Sequence, residues 1–302
     1  MNLHKDTEVF QQLLIATTDY LGLRDVGIVE KDYFVTYFLQ KMVAKQPDLI
    51  FKGGTSLSKC HKIIKRFSED IDLNLENAKP TEGQRKQLKK NIISIIDEAG
   101  FSLENPEMVR SRREFNRYMI DYKSTNSFGH LKQYIIVETS VFIKAFPIEK
   151  KDASNLIYDF LLAKSADNEI KKYALEPFEI KVQKIERTFI DKVFALGDYY
   201  LNENTGSHSR HIYDLYRLYP LINFDNEFAD LVKEVREARK THRASISAQE
   251  DVDLPDLLRK TIKEKTFEAD YNQITQLLLY EDVQYSEAIT VIQKILDGGY
   301  FK

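Results

Sequence analysis

The sequence predicts an α+β fold, in which an N-terminal lobe with a mixed sheet flanked by helices precedes an all-helical C-terminal lobe. Apolar runs typical of strands occur mainly before about residue 150, and segments with helical spacing flank them and fill most of the remainder. The length, 302 residues, also exceeds that of most single cores. We therefore expect one domain over residues 1–150 and a mainly helical second domain over residues 151–302.

The first domain should begin with helices and then turn sharply. Apolar side chains recur at helical spacing twice within about the first 45 residues, which predicts two helices. A short apolar run, Leu49–Phe51, stops at Gly53 and Gly54, and a helix from about Ser56 to Arg66 follows. The order is therefore strand, tight turn and helix.

The next segment carries two acids on one strand face. In Glu69–Leu75, polar and apolar residues alternate, so Asp70 and Asp72 share a face of a half-buried strand. A helix over Glu82–Ala99 should then end at Gly100, which is a common helix stop.

Two more strands complete the predicted first domain, and helices follow. Strands are predicted for Met108–Tyr122 and Gln133–Phe142, and after Pro147 only Phe178–Val182 reads as a strand. The predicted helices of the second domain are Ile185–Leu201, Arg210–Leu218, Asn226–Lys240, Pro255–Lys263, Glu268–Leu279 and Ser286–Leu296.

Bulk composition narrows the class of protein. Hydrophobic residues make up 43% and charged residues 30%, as in folded soluble proteins. The single cysteine, Cys60, excludes an internal disulfide and favours the cytoplasm. Charges in Met1–Phe10 and the lack of about 18 consecutive apolar residues predict neither secretion nor a membrane span. A net charge of -3 leaves room for a local basic patch and hence for an RNA partner.

The Gly-Gly turn has the composition of a phosphate-binding element. Gly53 and Gly54 let the backbone approach a phosphate, and the following helix, capped by Thr55 or Ser56, would point free amides at the anion. A Gly-Gly pair alone is commonly only a turn. Neither the phosphate loop of the NTPases nor the three-glycine dinucleotide motif is present.

The paired aspartates have the composition of a metal site. Asp70 and Asp72 offer two hard oxygen donors that can hold Mg²⁺, or Mn²⁺ in its place, against a triphosphate. Two such ions stabilise the attacking and leaving oxygens of an in-line displacement. Glu138, on a strand that could lie beside the Asp70 strand, is the candidate third ligand. An Asp-x-Asp pair alone is commonly a solvated strand face.

These two elements together resemble a known family. Gly53-Gly54-Thr55-Ser56-Leu57-Ser58-Lys59 and Arg66-Phe67-Ser68-Glu69-Asp70-Ile71-Asp72-Leu73 are similar to motifs of the AbiEii/AbiGii toxin-type nucleotidyltransferases, within the DNA polymerase beta-like nucleotidyltransferase superfamily. The interval from Gly54 to Asp70 is longer than in many superfamily members, as it is in the AbiEii subgroup. The resemblance implies a nucleotidyltransferase fold for the first lobe.

A second resemblance lies in the helical lobe. Arg187–Lys192 and Arg210–Tyr216 look like the subgroup's C-terminal motifs, which implies that Lys192 and Asp214 contribute to the active-site cleft. Lys192 would neutralise the β and γ phosphates, and Asp214 would orient Lys192 or the acceptor. Ser68 matches a polar position that would contact phosphate. Alternatively, Asp214 pairs with a residue one helical turn away, and Lys192 is merely solvated.

The expected activity follows from these resemblances. A nucleoside triphosphate would donate its nucleotide to an acceptor, which by kinship is RNA and specifically the 3′ end of tRNA. The protein would be the toxin of a type IV-like toxin–antitoxin or phage-abortive-infection pair, with a cognate antitoxin. The alternatives are a protein nucleotidyltransferase, a kinase and a non-catalytic nucleotide-binding module. An RNA backbone could bind a basic segment interleaved with aromatic residues: Arg110, Arg112, Arg113, Phe115, Arg117 and Tyr118.

Overall fold

The protein, a computed structural model, comprises two compact units. The structure describes residues 1–68, 70–124, 126 and 134–302. The first unit is Met1–Lys62 with Ser68–Val182, and the second is Ile63–Phe67 with Gln183–Lys302. The position after residue 150, where the sequence predicts a domain boundary, falls within a strand, Ile148–Ala153, that joins the sheet of the first unit.

The first unit is built on a mixed sheet, as predicted. Within the described residues it has seven strands, in the order β3-β4-β5-β2-β1-β7-β6. They are β1 (Leu49–Lys52), β2 (Asp70–Leu75), β3 (Ser102–Leu103), β4 (Phe115–Asp121), β5 (Tyr134–Ser140), β6 (Ile148–Ala153) and β7 (Phe178–Gln183). β1 pairs antiparallel with β2 and parallel with β7, while β2 is parallel to β5. The strand with the two aspartates is therefore central.

Helices flank this sheet. They are α1 (Thr7–Leu21), α2 (Val26–Lys45), α3 (Gly53–Lys59), α4 (Glu82–Ala99), α5 (Leu156–Ala163) and α6 (Asp167–Lys172). α4 confirms the predicted bounds: Thr81 and Gln84 form a capping box at its start, and Gly100 ends it with a φ of 72°.

A helix is present at the Gly-Gly turn, as predicted, but its predicted bounds, about residues 56–66, and its predicted cap are wrong. α3 begins at Gly53 and ends at Lys59, because Ile63–Phe67 belongs to the other unit. Neither predicted hydroxyl caps this helix. Thr55 Oγ1 donates to the Asp70 carbonyl (2.5 Å), and Ser56 Oγ donates to the Gly53 carbonyl (2.9 Å).

Two further predictions need correction. The strand predicted from Met108 begins only at Phe115, because the Asn116 side chain binds the backbone N–H and carbonyl of Arg110 and holds the preceding chain in a loop. β6, α5 and α6 were not predicted, although Asn155 caps α5 by accepting from the Tyr158 N–H (2.8 Å). Glu69 and Gln133, where two predicted strands begin, lie outside the described residues.

The second unit is helical, as predicted. Its helices are α7 (Ile185–Leu201), α8 (Arg210–Leu218), α9 (Asn226–Lys240), α10 (Leu254–Lys263), α11 (Glu268–Asp270), α12 (Gln276–Leu278), α13 (Tyr285–Ala288) and α14 (Thr290–Gly298). The continuous helix predicted over Glu268–Leu279 is interrupted by a wider π-helical turn, Tyr271–Thr275. Across the described part of the chain, no helix is both long and apolar enough to cross a membrane.

Candidate active site

The centre of the first unit's site is the polar face of β2. Asp70 and Asp72 are half-buried, whereas Ile71 and Leu73 between and after them are completely buried. The alternation that was read from the sequence therefore places both carboxylates on one face. The apolar residues on the other face fix the register, since a slip by one residue would bury both acids.

A row of charged residues crosses this face on four neighbouring strands. Asp72 pairs in register with Lys52 of β1 and with Glu138 of β5, and Glu138 pairs with Arg117 of β4. Residues directly opposite each other in a ladder share a face. Lys52 Nζ also donates to Ser140 Oγ of β5 (2.9 Å). The row thus reads cation, acid, acid, cation.

Gly53 lies directly against the second aspartate. It has a φ of +76°, and a Cβ built there would lie 2.0 Å from Asp72 Oδ2 and 2.9 Å from its Cγ. No side chain fits at that distance, and the left-handed backbone also disfavours any residue with a Cβ. The first glycine of the pair is therefore required both by the turn and by the approach to Asp72.

The predicted hydroxyl residues join this turn to the acid strand. Thr55 is fully buried in α3, and its Oγ1 lies 2.9 Å from Ser68 Oγ as well as binding the Asp70 carbonyl. Ser68 precedes β2, which begins at Asp70. These contacts hold the Gly-Gly turn beside the first aspartate.

The third predicted ligand, Glu138, is adjacent but engaged. Its Oε1 accepts from Arg117 Nε (2.7 Å) and lies 2.5 Å from Arg117 Nη2. Within the part of the chain that the structure describes, no three His, Cys, Asp or Glu side chains are grouped to hold a metal ion. Asp70 and Asp72 carry hard oxygen donors on one strand face, which is the chemistry that a hard divalent cation prefers.

The second unit contains a buried charge cluster around Asp214 of α8. Its Oδ2 lies 2.7 Å from Lys192 Nζ of α7, and both oxygens accept from Arg66, at 2.6 Å from Nε and 2.8 Å from Nη2. The side chains of Arg66, Asp214 and Lys192 are 1%, 0% and 6% exposed. Two cations and one carboxylate leave an excess of one positive charge in this cluster.

The cluster keeps its carboxylate ionised. Burial alone would raise the pKa of Asp214, but the charges of Arg66 and Lys192 and their hydrogen bonds outweigh this and hold that pKa below its usual range. Burial lowers the pKa of Lys192, which Asp214 opposes and Arg66 reinforces. Burial and the Lys192 charge lower the pKa of His211, whose Nδ1 lies 3.4 Å from Lys192 Nζ. A neutral His211 can therefore accept from Lys192.

Sequence reasoning missed Arg66. It precedes Asp70 by four positions in a motif that had been noted, but only the two aspartates and Ser68 of that motif were assigned roles. The sequence did contain a signal that Arg66 is buried: it lies two residues after Ile64 and directly before Phe67, and both of these apolar residues are buried. Its partner lies 148 residues away in the chain, which no local pattern reveals.

The fold and the site define a class of protein. Paired carboxylates on a central strand with a glycine turn packed against them are suited to transfer of a phosphate-containing group. Residues 37–291 match the family described as "Nucleotidyl transferase AbiEii toxin, Type IV TA system", and the chain belongs to this family.

Family membership defines the activity at a general level. The protein is a nucleotidyltransferase that uses a nucleoside triphosphate and a divalent metal ion, and it is the toxin of a toxin–antitoxin system with an antitoxin partner. Among solved structures it is similar to MenT4, a nucleotidyltransferase toxin from Mycobacterium tuberculosis H37Rv, with 14% identity and a TM-score of 0.46 over 93% of this chain and 98% of that chain. No curated protein matches the sequence.

Proposed function

We propose that the enzyme uses Mg²⁺ to transfer a nucleoside monophosphate from a triphosphate onto RNA, with the 3′ end of tRNA as acceptor. The observation that carries the proposal is the common face of Asp70 and Asp72, with Gly53 packed against the second carboxylate. The acceptor hydroxyl loses its proton to solvent and forms a bond to the α phosphorus, the bond from that phosphorus to the bridging oxygen breaks, and pyrophosphate leaves. Such a reaction needs a compartment that supplies nucleoside triphosphates, and the lone buried thiol, Cys60, is compatible with the cytoplasm.

In the first unit, each residue has a binding or positioning role. Asp70 and Asp72 would hold the metal, which lowers the charge repulsion around the triphosphate, and Glu138 would be a third ligand once released from Arg117. The backbone of Gly53 and Gly54 would contact phosphate, since Gly53 has no side chain in the way. Thr55 and Ser68 would contribute to nucleotide binding by fixing this turn, as their 2.9 Å contact supports.

In the second unit, the charge cluster would bind phosphate. Lys192 is buried beside Asp214, and an ammonium has three N–H donors, of which Asp214 and His211 account for two among the described residues. An anionic phosphate would compensate the excess positive charge of the cluster. Asp214 would orient Lys192, in keeping with their 2.7 Å contact.

An RNA acceptor is supported by exposed cationic and aromatic side chains near β4. Arg112 is 84% exposed, and Phe115, which alternates onto the same face as Arg117, is 42% exposed. Arginine can bind the RNA backbone, and an exposed ring can stack on an unpaired base. Tyr118, also predicted to stack, is 1% exposed and belongs to the core.

The test incubates the enzyme with total cellular RNA and protein and with either α-labelled or γ-labelled triphosphates in parallel reactions. We expect Mg²⁺-dependent label in RNA, with a loss of at least about 100-fold in Asp70→Asn and Asp72→Asn. Glu76→Gln, which changes a side chain 50% exposed just after β2, is the matched control and should retain activity. Transfer at the wild-type rate in both aspartate variants would refute the assignment. Label in protein alone would indicate protein nucleotidylation, and label from the γ position alone a kinase.

A further inference from the structure

The guanidinium of Arg66 binds both oxygens of the Asp214 carboxylate, although a single contact would be enough to balance the charge. Nε binds Asp214 Oδ1, Nη2 binds Asp214 Oδ2, and Nη1 donates to the Phe67 carbonyl at 2.8 Å. A planar guanidinium that binds both oxygens of a carboxylate fixes the orientation of the carboxylate in addition to balancing the negative charge of the carboxylate. Lys192, the second cation on Asp214, lies 2.7 Å from Oδ2 through its single Nζ.

Arg66 is itself held in place by the backbone of its segment. The Phe67 N–H donates to the Leu278 carbonyl and the Tyr280 N–H donates to the Lys65 carbonyl, both at 2.8 Å. The Lys65 N–H also donates to Tyr213 Oη at 3.0 Å. These bonds hold the backbone on both sides of Arg66, so the Cα atom from which its side chain extends has a fixed position in the second unit.

The consequence concerns the position of Lys192. With both oxygens bound to Arg66, the Asp214 carboxylate cannot rotate about its last bond without breaking two hydrogen bonds. Oδ2 therefore has one direction in which to accept from Lys192 Nζ. A lysine at position 66 would keep the charge but could not bind both oxygens in this planar arrangement.

We propose that Arg66 is a positioning residue for nucleotidyl transfer: it orients the Asp214 carboxylate, which holds the Lys192 ammonium in place for the phosphate groups of the triphosphate. This inference rests on the proposed phosphate-binding role of Lys192. It also assigns a purpose to the Arg66-Phe67-Ser68 part of the motif, which in the chain leads directly from the positioning residue to the metal-binding strand.

A purely structural arginine and a positioning arginine differ in their effect on Lys192. Burial lowers the pKa of Lys192 most; Asp214 opposes this, and the charges of Arg66 and Arg210 lower that pKa further. Removing the charge of Arg66 should raise the pKa of Lys192. The pH above which phosphate binding is lost, called the pH limit below, should therefore rise. Arg66→Lys keeps a positive charge and should leave this pH limit unchanged while reducing affinity.

The experiment measures binding of inorganic tripolyphosphate with Mg²⁺ by titration calorimetry over a pH series, with thermal unfolding of each variant. We expect Lys192→Met to weaken binding. Arg66→Lys should weaken binding about tenfold without changing the pH limit. Arg66→Met should move the pH limit to a higher pH. Arg66→Lys decides the matter if Arg66→Met does not fold. Arg217→Lys is the matched control, because Arg217 binds the same segment through the Ile63 carbonyl (3.4 Å) and should not affect binding.

The outcomes separate the inference from the proposed function. If Lys192→Met binds as the wild type does, the phosphate role of Lys192 is refuted and this inference with it. If Lys192→Met weakens binding but both Arg66 variants bind as the wild type with the same pH limit, the inference alone is overturned. An equal loss in Arg217→Lys and Arg66→Lys would also overturn it, since any disturbance of the segment would then suffice.

Discussion

Replacing Gly53 with alanine should inactivate the enzyme by displacing Asp72. The new methyl carbon would lie 2.0 Å from Asp72 Oδ2, whereas a Cβ is essentially never found within 3.0 Å of such an atom. The carboxylate must therefore withdraw by at least about 1 Å, and a misplacement of that size can cost roughly 100-fold in rate.

The same substitution has a second effect that must be separated from the first. An L-residue in the left-handed conformation costs about 1–2 kcal/mol, which lowers stability wherever it occurs. Gly100 provides the control, because its φ is +72° and nothing lies within 4 Å of a Cβ built there. Gly100→Ala should lose similar stability from backbone strain but keep its activity.

The assay is nucleotide transfer from α-labelled triphosphate, measured beside urea unfolding for both variants. We expect a rate reduced about 100-fold in Gly53→Ala and a near wild-type rate in Gly100→Ala, with both proteins folded at the assay temperature. Wild-type transfer by folded Gly53→Ala would show that Asp72 does not need its observed position. An equal loss in Gly100→Ala would attribute the defect to stability instead.

Three further predictions concern other parts of the chain. Burial raises the pKa of the Cys60 thiol to about 12, so a thiol reagent should label the native protein far more slowly than the urea-unfolded protein; rapid native labelling would contradict this. Burial, with Lys5 and Lys41 nearby, lowers the pKa of His4 from 6.5 to about 4. Only the unfolded chain gains this proton between those values, so stability should fall as pH drops from 6.5 to 4, and more steeply than in His4→Gln when both are unfolded in urea. Finally, Phe115→Ala should weaken RNA binding in a filter assay by about 1–3 kcal/mol while Phe115→Tyr does not, and equal binding by all three proteins would exclude stacking.

Local patterns predicted the parts of the molecule that depend on local periodicity. The alternation of β2 placed Asp70 and Asp72 on one face, and helical spacing gave α7, α8 and α9 with the bounds that the structure has. In each case the buried face is encoded by near neighbours in the sequence.

Features that depend on distant partners were missed. β6 lies at one edge of the sheet and has the sequence Ile-Glu-Lys-Lys-Asp-Ala, whose charges suit an edge strand but conceal the apolar signal of a strand. The glycine turn was predicted, but not that Asp72 fills the space where a Cβ of Gly53 would lie. Arg66 looked like one more basic side chain, because burial of an arginine is visible only once its partner is known.

The second unit is built from two separate segments of the chain, which has a consequence for the synthesis and folding of the toxin. Ile63–Phe67 lies far ahead of its backbone partners, Leu278–Tyr280, in the chain and is therefore synthesised well before them. Contacts of such long sequence separation carry a large loop-closure entropy and form slowly. A nascent or truncated chain without Leu278–Tyr280 would therefore lack the anchored Arg66, and a newly made toxin would gain its complete charge cluster only after those residues have been synthesised.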